Sequence, residues 1–115
     1  MIIIKGSSKK SEVLYNLIKK EFLTNKVLVL DSIGAKWKDS DWAEVWQLDN
    51  VESYKNVIDY FENNYEAIKG YDWVAFYLNS NEESEKVFKD LDRKYTQNFI
   101  VTIQADNGIT SKYFL

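Results

Sequence analysis

The sequence contains no cysteine, no histidine and no proline. Without cysteine the chain can form no disulfide, no thiolate metal site and no cysteine nucleophile. Without histidine the usual zinc sites and every histidine-dependent catalytic triad are excluded as well, which leaves oxygen-ligated Mg²⁺ or Ca²⁺ as the metals to consider. The lack of proline argues against a hinge between subdomains. These absences exclude more enzyme classes than any motif in the chain suggests.

A strong positive charge and a long apolar run are missing too. The formal net charge is −3, so the chain has no global positive field with which to hold a nucleic-acid backbone. No apolar stretch approaches the roughly 20 residues needed to cross a bilayer, and the opening segment has neither the length nor the cleavage signal of a secretory peptide. We therefore expect no membrane contact, no nucleic-acid partner and a cytoplasmic location.

The chain does contain enough apolar surface for one core. It has 115 residues, of which 45% are hydrophobic and 16% are aromatic. A chain of this size is long enough for one domain and too short for two ordinary ones. Its composition also argues against disorder, because burial of so much apolar surface can offset the lost conformational entropy. We expect a single domain over residues 1–115.

Apolar, strand-like runs alternate with amphipathic helical segments along the chain. Strands are predicted over residues 2–4, 27–30, 45–48, 73–78, 99–103 and 110–115. Helices are predicted over residues 8–23, over 51–68 with Asn50 as cap, and from a capping box at Ser80 and Glu83 through Tyr95. Such alternation implies right-handed βαβ crossovers. We predict a three-layer α/β sandwich with a mostly parallel sheet of five to six strands, helices on both faces and an antiparallel C-terminal edge strand.

A turn rich in glycine, serine and lysine joins the first strand to the first helix. It consists of Gly6, Ser7, Ser8, Lys9, Lys10 and Ser11. A turn of this kind, at the carboxyl end of a parallel strand, points backbone N–H groups at an anion, and the helix dipole adds about half a positive charge. These six residues are therefore a candidate phosphate site. The simpler interpretation, which we favour, is a solvated helix start with two mobile lysines.

Four segments follow one another in an order that is known from one protein family. They are a strand with a phosphate loop (2–11), a second strand (27–31), a strand in the Walker B position (71–77) and a strand that ends in a polar sensor residue (99–104). Together they resemble P-loop ATPases, in particular the small RecA-like ATPases of phages. The resemblance is spread over most of the chain. It implies a P-loop-like fold, a possible nucleotide ligand and a phage or mobile-element setting.

Two positions depart from the pattern of that family. If Lys10 and Ser11 match its lysine and Ser/Thr, Lys9 stands where a glycine is expected and Gly6 lies two residues too late to be the first glycine. We therefore expect a degenerate Walker A loop that is shorter or differently shaped. Tyr77 replaces the acidic residue that should help to hold Mg²⁺. Because hydrolysis needs metal, lysine and a positioned water together, we expect no ATP turnover.

Three tryptophans, Trp37, Trp42 and Trp46, lie close together in the sequence and alternate with polar residues. Exposed aromatics in such a setting can anchor a protein partner or stack on bases. Three acidic neighbours, at positions 39, 41 and 44, would repel nucleic acid. We favour rings that cover one end of the sheet, because large aromatics are usually mostly buried. The alternative is that the three indoles bind a protein partner.

Asp31 and Asp49 are the carboxylates placed to face the same edge of the sheet. Carboxylates after strands more often form turns and caps, so we predict no metal site, no cofactor and no catalytic residue. The leading hypothesis is a non-catalytic binding or accessory domain that acts through an unknown protein partner or through self-association. The alternative is a nucleotide- or phosphate-binding protein with little or no hydrolysis.

Overall fold

The computed structural model describes residues 1–21, 26–37, 41–49, 53–78, 85–105 and 110–114. In chain order the elements are β1 (Ile2–Gly6), α1 (Lys10–Glu21), β2 (Val27–Asp31), β3 (Glu44–Gln47), α2 (Tyr54–Asn63), α3 (Tyr65–Ile68), β4 (Trp73–Tyr77), α4 (Glu85–Lys94), β5 (Asn98–Gln104) and β6 (Ser111–Phe114). The strands form a six-stranded sheet in the order β3-β2-β4-β5-β1-β6. Only the β1–β6 pair is antiparallel among these neighbours. The predicted α/β fold with an antiparallel C-terminal edge strand is confirmed.

The sheet carries helices on both faces. Side chains of β1 alternate, so that Ile3 packs with α2, α3 and α4 while Ile2 and Ile4 pack with α1. We call these two sides the α2/α4 face and the α1 face. Strands β2 and β4 read as continuous apolar runs because their side chains are buried on both sides of the sheet.

The second predicted helix begins later than its apolar pattern suggests. It was expected over residues 51–68, but the described part of α2 begins at Tyr54. The side chain of Ser53 accepts a hydrogen bond from the backbone N–H of Asn56 at 3.2 Å, which caps the helix in place of the expected Asn50. Asn50 itself lies outside the described residues. Apolar spacing locates the buried face of a helix, whereas the cap depends on a local side-chain bond.

The same segment is also interrupted near its end, so that it forms α2 and α3 rather than one helix. At the junction Asn64 has φ −112° and ψ 19°, and its side-chain amide donates to the carbonyl of Tyr60 at 2.8 Å. Asparagine side chains compete in this way with regular helical hydrogen bonding. The apolar spacing continues across the break, because Phe61 and Ile68 both reach the core.

The remaining elements differ little from the predicted ones. Helix α1 covers Lys10–Glu21 within the expected 8–23. In α4, Phe88 and Leu91 are buried as predicted, but Val87 is 39% exposed. The capping box at Ser80 and Glu83 lies outside the described residues. No described helix has the length and apolar character that crossing a membrane requires.

The strand order brings several loops to one edge of the sheet. Strand β1 pairs in parallel with β5, β5 with β4, and β4 with β2. The loops that follow β1 and β2 therefore leave the sheet at the same carboxyl edge, which is where ligands bind in open α/β sheets. The candidate site lies at this edge.

Candidate functional site

Lys10 is turned into the protein at the start of α1. The residue is only 5% exposed. Its ammonium group donates hydrogen bonds to the carbonyl of Gly6 at 3.1 Å and to the side-chain oxygen of Gln104. Side chains in a helix tilt toward its N-terminus, so a lysine at the first position reaches back over the preceding loop. Burial lowers the pKa of Lys10 below its ordinary value. The expectation of two mobile lysines is therefore wrong for Lys10, although Lys9 is exposed.

Lys9 has an unusual backbone conformation. Its φ is 62°, in the left-handed region that glycine enters freely and that costs other residues about 1–2 kcal/mol. Its carbonyl accepts the N–H of Val13 at 3.0 Å, within the first turn of α1. The loop thus keeps a glycine-like backbone at the position where the P-loop resemblance expects glycine. The difference at this position is the added side chain.

Gly6 is required by the approach of the chain segment that leads into β6. A Cβ atom at position 6 would lie 2.7 Å from the Cα of Thr110, which is closer than real Cβ contacts allow. The hydroxyl of Thr110 donates to the carbonyl of Ser8, and the carbonyl of Gly6 accepts the N–H of Ala105 at 3.0 Å. Packing of the protein against itself therefore accounts for this glycine without an anion.

The three serines of the turn have different surroundings. Ser7 is half-buried, Ser8 is exposed and Ser11 is half-buried. Burial is the largest effect on the Tyr77 phenol and raises its pKa above the ordinary value; the Ser11 hydroxyl acts to lower that pKa, and the negative charge of Asp31 raises it. Ser11 thus lies beside the tyrosine that stands where the resemblance expects an acidic residue.

Asp31 is the second buried charged group at this edge. We call Lys10 and Asp31, each with its hydrogen-bond partners, the Lys10 corner and the Asp31 corner. It is fully buried, and its two carboxylate oxygens accept hydrogen bonds from five donors at 2.8 to 3.3 Å: the backbone N–H groups of Ile33, Gly34 and Ala35, the indole N–H of Trp37 and the amide of Gln47. Asp49 is exposed after β3. Among the described residues no group of three or more acidic side chains is placed to hold a metal ion.

The three tryptophans do not form one cluster. Trp37 and Trp42 pack on the α1 face with ring centroids 4.7 Å apart, and Trp37 also meets Tyr77 at 5.3 Å. Trp46 packs on the α2/α4 face, where its ring centroid lies 6.4 Å from that of Tyr71. All three indoles are half-buried. Two of them therefore cover the carboxyl half of the α1 face, and the third lies on the other side of the sheet.

A pocket of about 280 Å³ opens between α1 and the loop that follows β2. We call it the Trp37 pocket, and it is lined by Ser11, Glu12, Tyr15, Lys36 and Trp37. The indole of Trp37 is held by its bond to Asp31 and by ring contacts with Trp42 and Tyr77, and Tyr15 packs on Trp42 with centroids 5.1 Å apart. Glu12 and Lys36 are exposed. The pocket thus has fixed aromatic walls and a rim with charges of both signs.

Sequence reasoning predicted Trp37 and Ser11 as site residues but missed Glu12, Tyr15 and Lys36. The pocket joins a helix to a loop that is distant in the sequence, so no local spacing defines it. The one available signal was the four-residue spacing of Ser11 and Tyr15 on the predicted helix, which places them on the same side.

Fold and site together define an α/β domain with a mostly parallel sheet, whose carboxyl edge carries two polar corners bonded to the protein itself and an aromatic pocket between them. Comparisons with models of protein families, with curated proteins and with solved structures found no match to this chain. Function is therefore argued from the geometry of the site.

Proposed function

We propose that this chain is a non-catalytic binding domain that acts by contact with another protein. The observation that carries the proposal is the position of the Lys10 ammonium group, which is bonded to Gly6 and Gln104 within its own loop. A lysine that assists phosphoryl transfer must present its charge to the phosphate. Here the charge serves to hold β5 and the loop together.

The rest of the carboxyl edge supports the same proposal. Asp31 has five donors around two oxygens, which is more than the roughly four lone-pair sites that a carboxylate offers, so its acceptor capacity is filled. Tyr77 packs against Trp37 at the position where a metal-binding acid would be needed. These groups are engaged in the fold and offer little to a reaction that requires a metal and a positioned water.

The Trp37 pocket supports the binding part of the proposal. Energetically important contacts between proteins concentrate in pockets with rigid aromatic walls and a polar rim. The volume of about 280 Å³ lies at the lower limit of the roughly 300–1,000 Å³ that ligand pockets usually enclose. It suits one or two side chains of a partner better than a complete nucleotide.

An assay for nucleotide hydrolysis tests the non-catalytic part. We expect the purified chain with Mg²⁺ and ATP or GTP to release phosphate no faster than a Lys10→Ala variant. Turnover by the natural sequence that is lost in Lys10→Ala would overturn the proposal, because it would show the lysine acting on phosphate.

A capture experiment with matched variants tests the binding part. The natural sequence and the double variant Glu12→Gln/Lys36→Gln, which changes two exposed rim residues, serve as baits in extract of the cells that make the protein. The control bait is Lys89→Gln/Asp90→Asn on exposed positions of α4. We expect a protein that is retained by the natural sequence and the control but lost with the rim variant. Equal retention by all three baits argues against the pocket as the contact.

The second candidate function is nucleotide or phosphate binding without efficient hydrolysis. It is favoured by one observation, the glycine-like φ of Lys9 beside a buried lysine at the start of a helix, an arrangement in which an anion could replace Gln104 as the partner of Lys10. A ligand that binds the native state at 100 times its Kd stabilises it by about 2.7 kcal/mol. A midpoint that rises with millimolar ATP, and does not rise in Lys10→Ala, would select this function.

A further inference from the structure

The most exposed large apolar side chain among the described residues is Phe114, on the terminal strand of the sheet. It is 80% exposed, whereas the next two, Ile33 and Val87, are 42% and 39% exposed. Strand β6 is an end strand, with β1 as its neighbour in the sheet. Short edge strands and lysines normally discourage pairing with another strand, and β6 has four residues and includes Lys112, but the exposed Phe114 adds an apolar contact that a pairing strand would cover.

The side chains of β6 point alternately to the two faces of the sheet. Its register with β1 places Phe114 opposite Ile2 and Lys112 opposite Ile4, so these two residues lie on the α1 face. Tyr113 lies on the other face and packs against the core there. A strand that pairs with β6 would therefore meet an aromatic residue and a cation on one side and a tyrosine on the other.

We propose that two copies of this chain pair through β6, antiparallel and about a twofold axis perpendicular to the sheet, which joins their sheets into one. Twofold symmetric dimers are the commonest soluble oligomers. With a perpendicular axis, the α1 faces of the two copies lie on the same side of the joined sheet, and so do the two α2/α4 faces. Only registers that are centred on a residue, and not between two residues, then bring side chains of the same face together.

Charge and strand length select one of these registers. Centring on Lys112 would place two ammonium groups directly opposite each other, which destabilises a pair. Centring on Ser111 or Phe114 would leave most of the four-residue strand unmatched. Centring on Tyr113 places the two Tyr113 residues opposite each other and puts each Lys112 across from Phe114 of the second copy, a favourable cation–π arrangement.

The paired strands are short, so the interaction is weak. Four residues cover far less than the standard interface of about 1,600 Å². We expect a dimer with Kd on the order of 0.1 mM, weak by comparison with the nanomolar complexes of standard interfaces. The β6 contact is separate from the Trp37 pocket and extends the proposed function.

Cysteine cross-linking tests the register, because the chain has no cysteine of its own. Tyr113→Cys puts two thiols opposite each other across the axis, within the 4.4–6.8 Å Cα separation that a disulfide spans. In the control Lys112→Cys each thiol lies opposite position 114 of the second copy, so the two thiols are offset along the strands by two residues, which is too far for a disulfide. We expect Tyr113→Cys to cross-link at least about tenfold faster under mild oxidation. Equal rates, or faster cross-linking of Lys112→Cys, would overturn the proposed register.

Sedimentation equilibrium of the purified chain tests the pairing without altering Tyr113, which packs on the core. The average mass of the natural sequence should rise between about 20 µM and 1 mM, and it should stay monomeric in Phe114→Asp. The control Ile33→Asp changes another exposed apolar residue and should associate like the natural sequence. A natural sequence that stays monomeric at 1 mM, or a Phe114→Asp variant that still associates, overturns the proposal. An edge that instead captures a strand of a different protein would appear as a monomer in this assay, which also overturns self-pairing.

Failure of this proposal and failure of the proposed function give different results. The rim variant Glu12→Gln/Lys36→Gln should dimerise like the natural sequence, since its substitutions lie on α1 and the loop after β2. Loss of dimerisation in Phe114→Asp with unchanged partner capture would support two separate surfaces.

Discussion

Lys10 and Asp31 are both buried charges at the same edge of the sheet, and their surroundings differ. Asp31 has five donors around its carboxylate, three of them backbone N–H groups of the loop that follows it. Lys10 has two neutral acceptors, Gly6 and Gln104, and it follows a residue with positive φ. A buried charge is tolerated when hydrogen bonds replace its lost water. The Asp31 corner meets this condition fully, and the Lys10 corner meets it less completely.

This difference separates a buried charge with many hydrogen-bond partners from one with few. The loop around Asp31 is shaped by the carboxylate, since the aspartate fixes its backbone and orients the indole of Trp37. The Lys10 corner combines a left-handed lysine, a close approach at Gly6 and a cation whose pKa is lowered by burial. Strain of this kind is found where a protein binds something or changes shape. Four substitutions test how far the two corners differ.

Removal of the Asp31 carboxylate should have the largest effect. Asp31→Ala removes the acceptor shared by five part-buried donors, and a donor left without its partner costs about 1–3 kcal/mol. We expect urea denaturation to show a loss of that size. The control Asp49→Ala, at an exposed position after β3, should change stability by less than about 0.5 kcal/mol. Equal effects of the two substitutions would contradict a stabilising role for the hydrogen bonds of Asp31.

Gly6→Ala should have the next largest effect. The added methyl group meets the backbone of Thr110, which cannot rotate away, and overpacking of this kind costs about 1–3 kcal/mol. The strain should be relieved at β6, so hydrogen exchange of the β6 amides should accelerate while that of β3, at the other end of the sheet, stays unchanged. Uniform acceleration across the sheet would contradict a local clash.

Lys9→Gly should stabilise the chain by up to about 1 kcal/mol, because glycine adopts a φ of 62° without the penalty that a side chain brings. The control is Lys20→Gly near the end of α1, where glycine in a helix costs about 1 kcal/mol. The two substitutions remove the same side chain and should shift the urea midpoint in opposite directions. A loss of stability in both would show that Lys9 is unstrained.

The smallest effect should appear in the pH dependence of Lys10→Met. Burial lowers the pKa of Lys10 from 10.5, so between the lowered pKa and 10.5 the unfolded chain binds more protons than the folded chain. The free energy of unfolding of the natural sequence should therefore increase as pH rises through that window, because Lys10 loses its proton more readily in the folded chain. Lys10→Met lacks the gain. Urea denaturation at a series of pH values up to 10.5 should show the natural sequence improving relative to the variant, and a difference that stays constant over the whole series would contradict a lowered pKa.

Much of the fold could be predicted because burial on both faces of a parallel sheet produces long apolar runs, as in residues 27–30 and 73–77. The helix break at Asn64 could not, because the apolar spacing continues across it and only a side-chain hydrogen bond of Asn64 marks the place. The candidate loop was located correctly after β1, since its position follows from strand and helix patterns alone.

The state of that loop could not be predicted, because it depends on contacts between distant parts of the chain. Lys10 meets Gln104 across 94 positions of sequence, and no local pattern signals such a pair. Gly6 was considered for its approach to phosphate, and the structure instead shows it against Thr110. Residue types suggested a ligand at both positions, whereas the tertiary contacts supply partners from the protein.

The place of β1 in the sheet also has a consequence for the order of folding. Strands β2, β3 and β4 pair across modest separations, but Ile2 pairs with Ile100 and with Phe114. Contacts between distant segments form late, since the entropy of closing a long loop must be overcome before they can stabilise anything. We therefore expect the β2–β4 half to form early and β1 to insert between β5 and β6 as a late step. The loop that buries Lys10 would then be among the last parts of the molecule to reach its native shape.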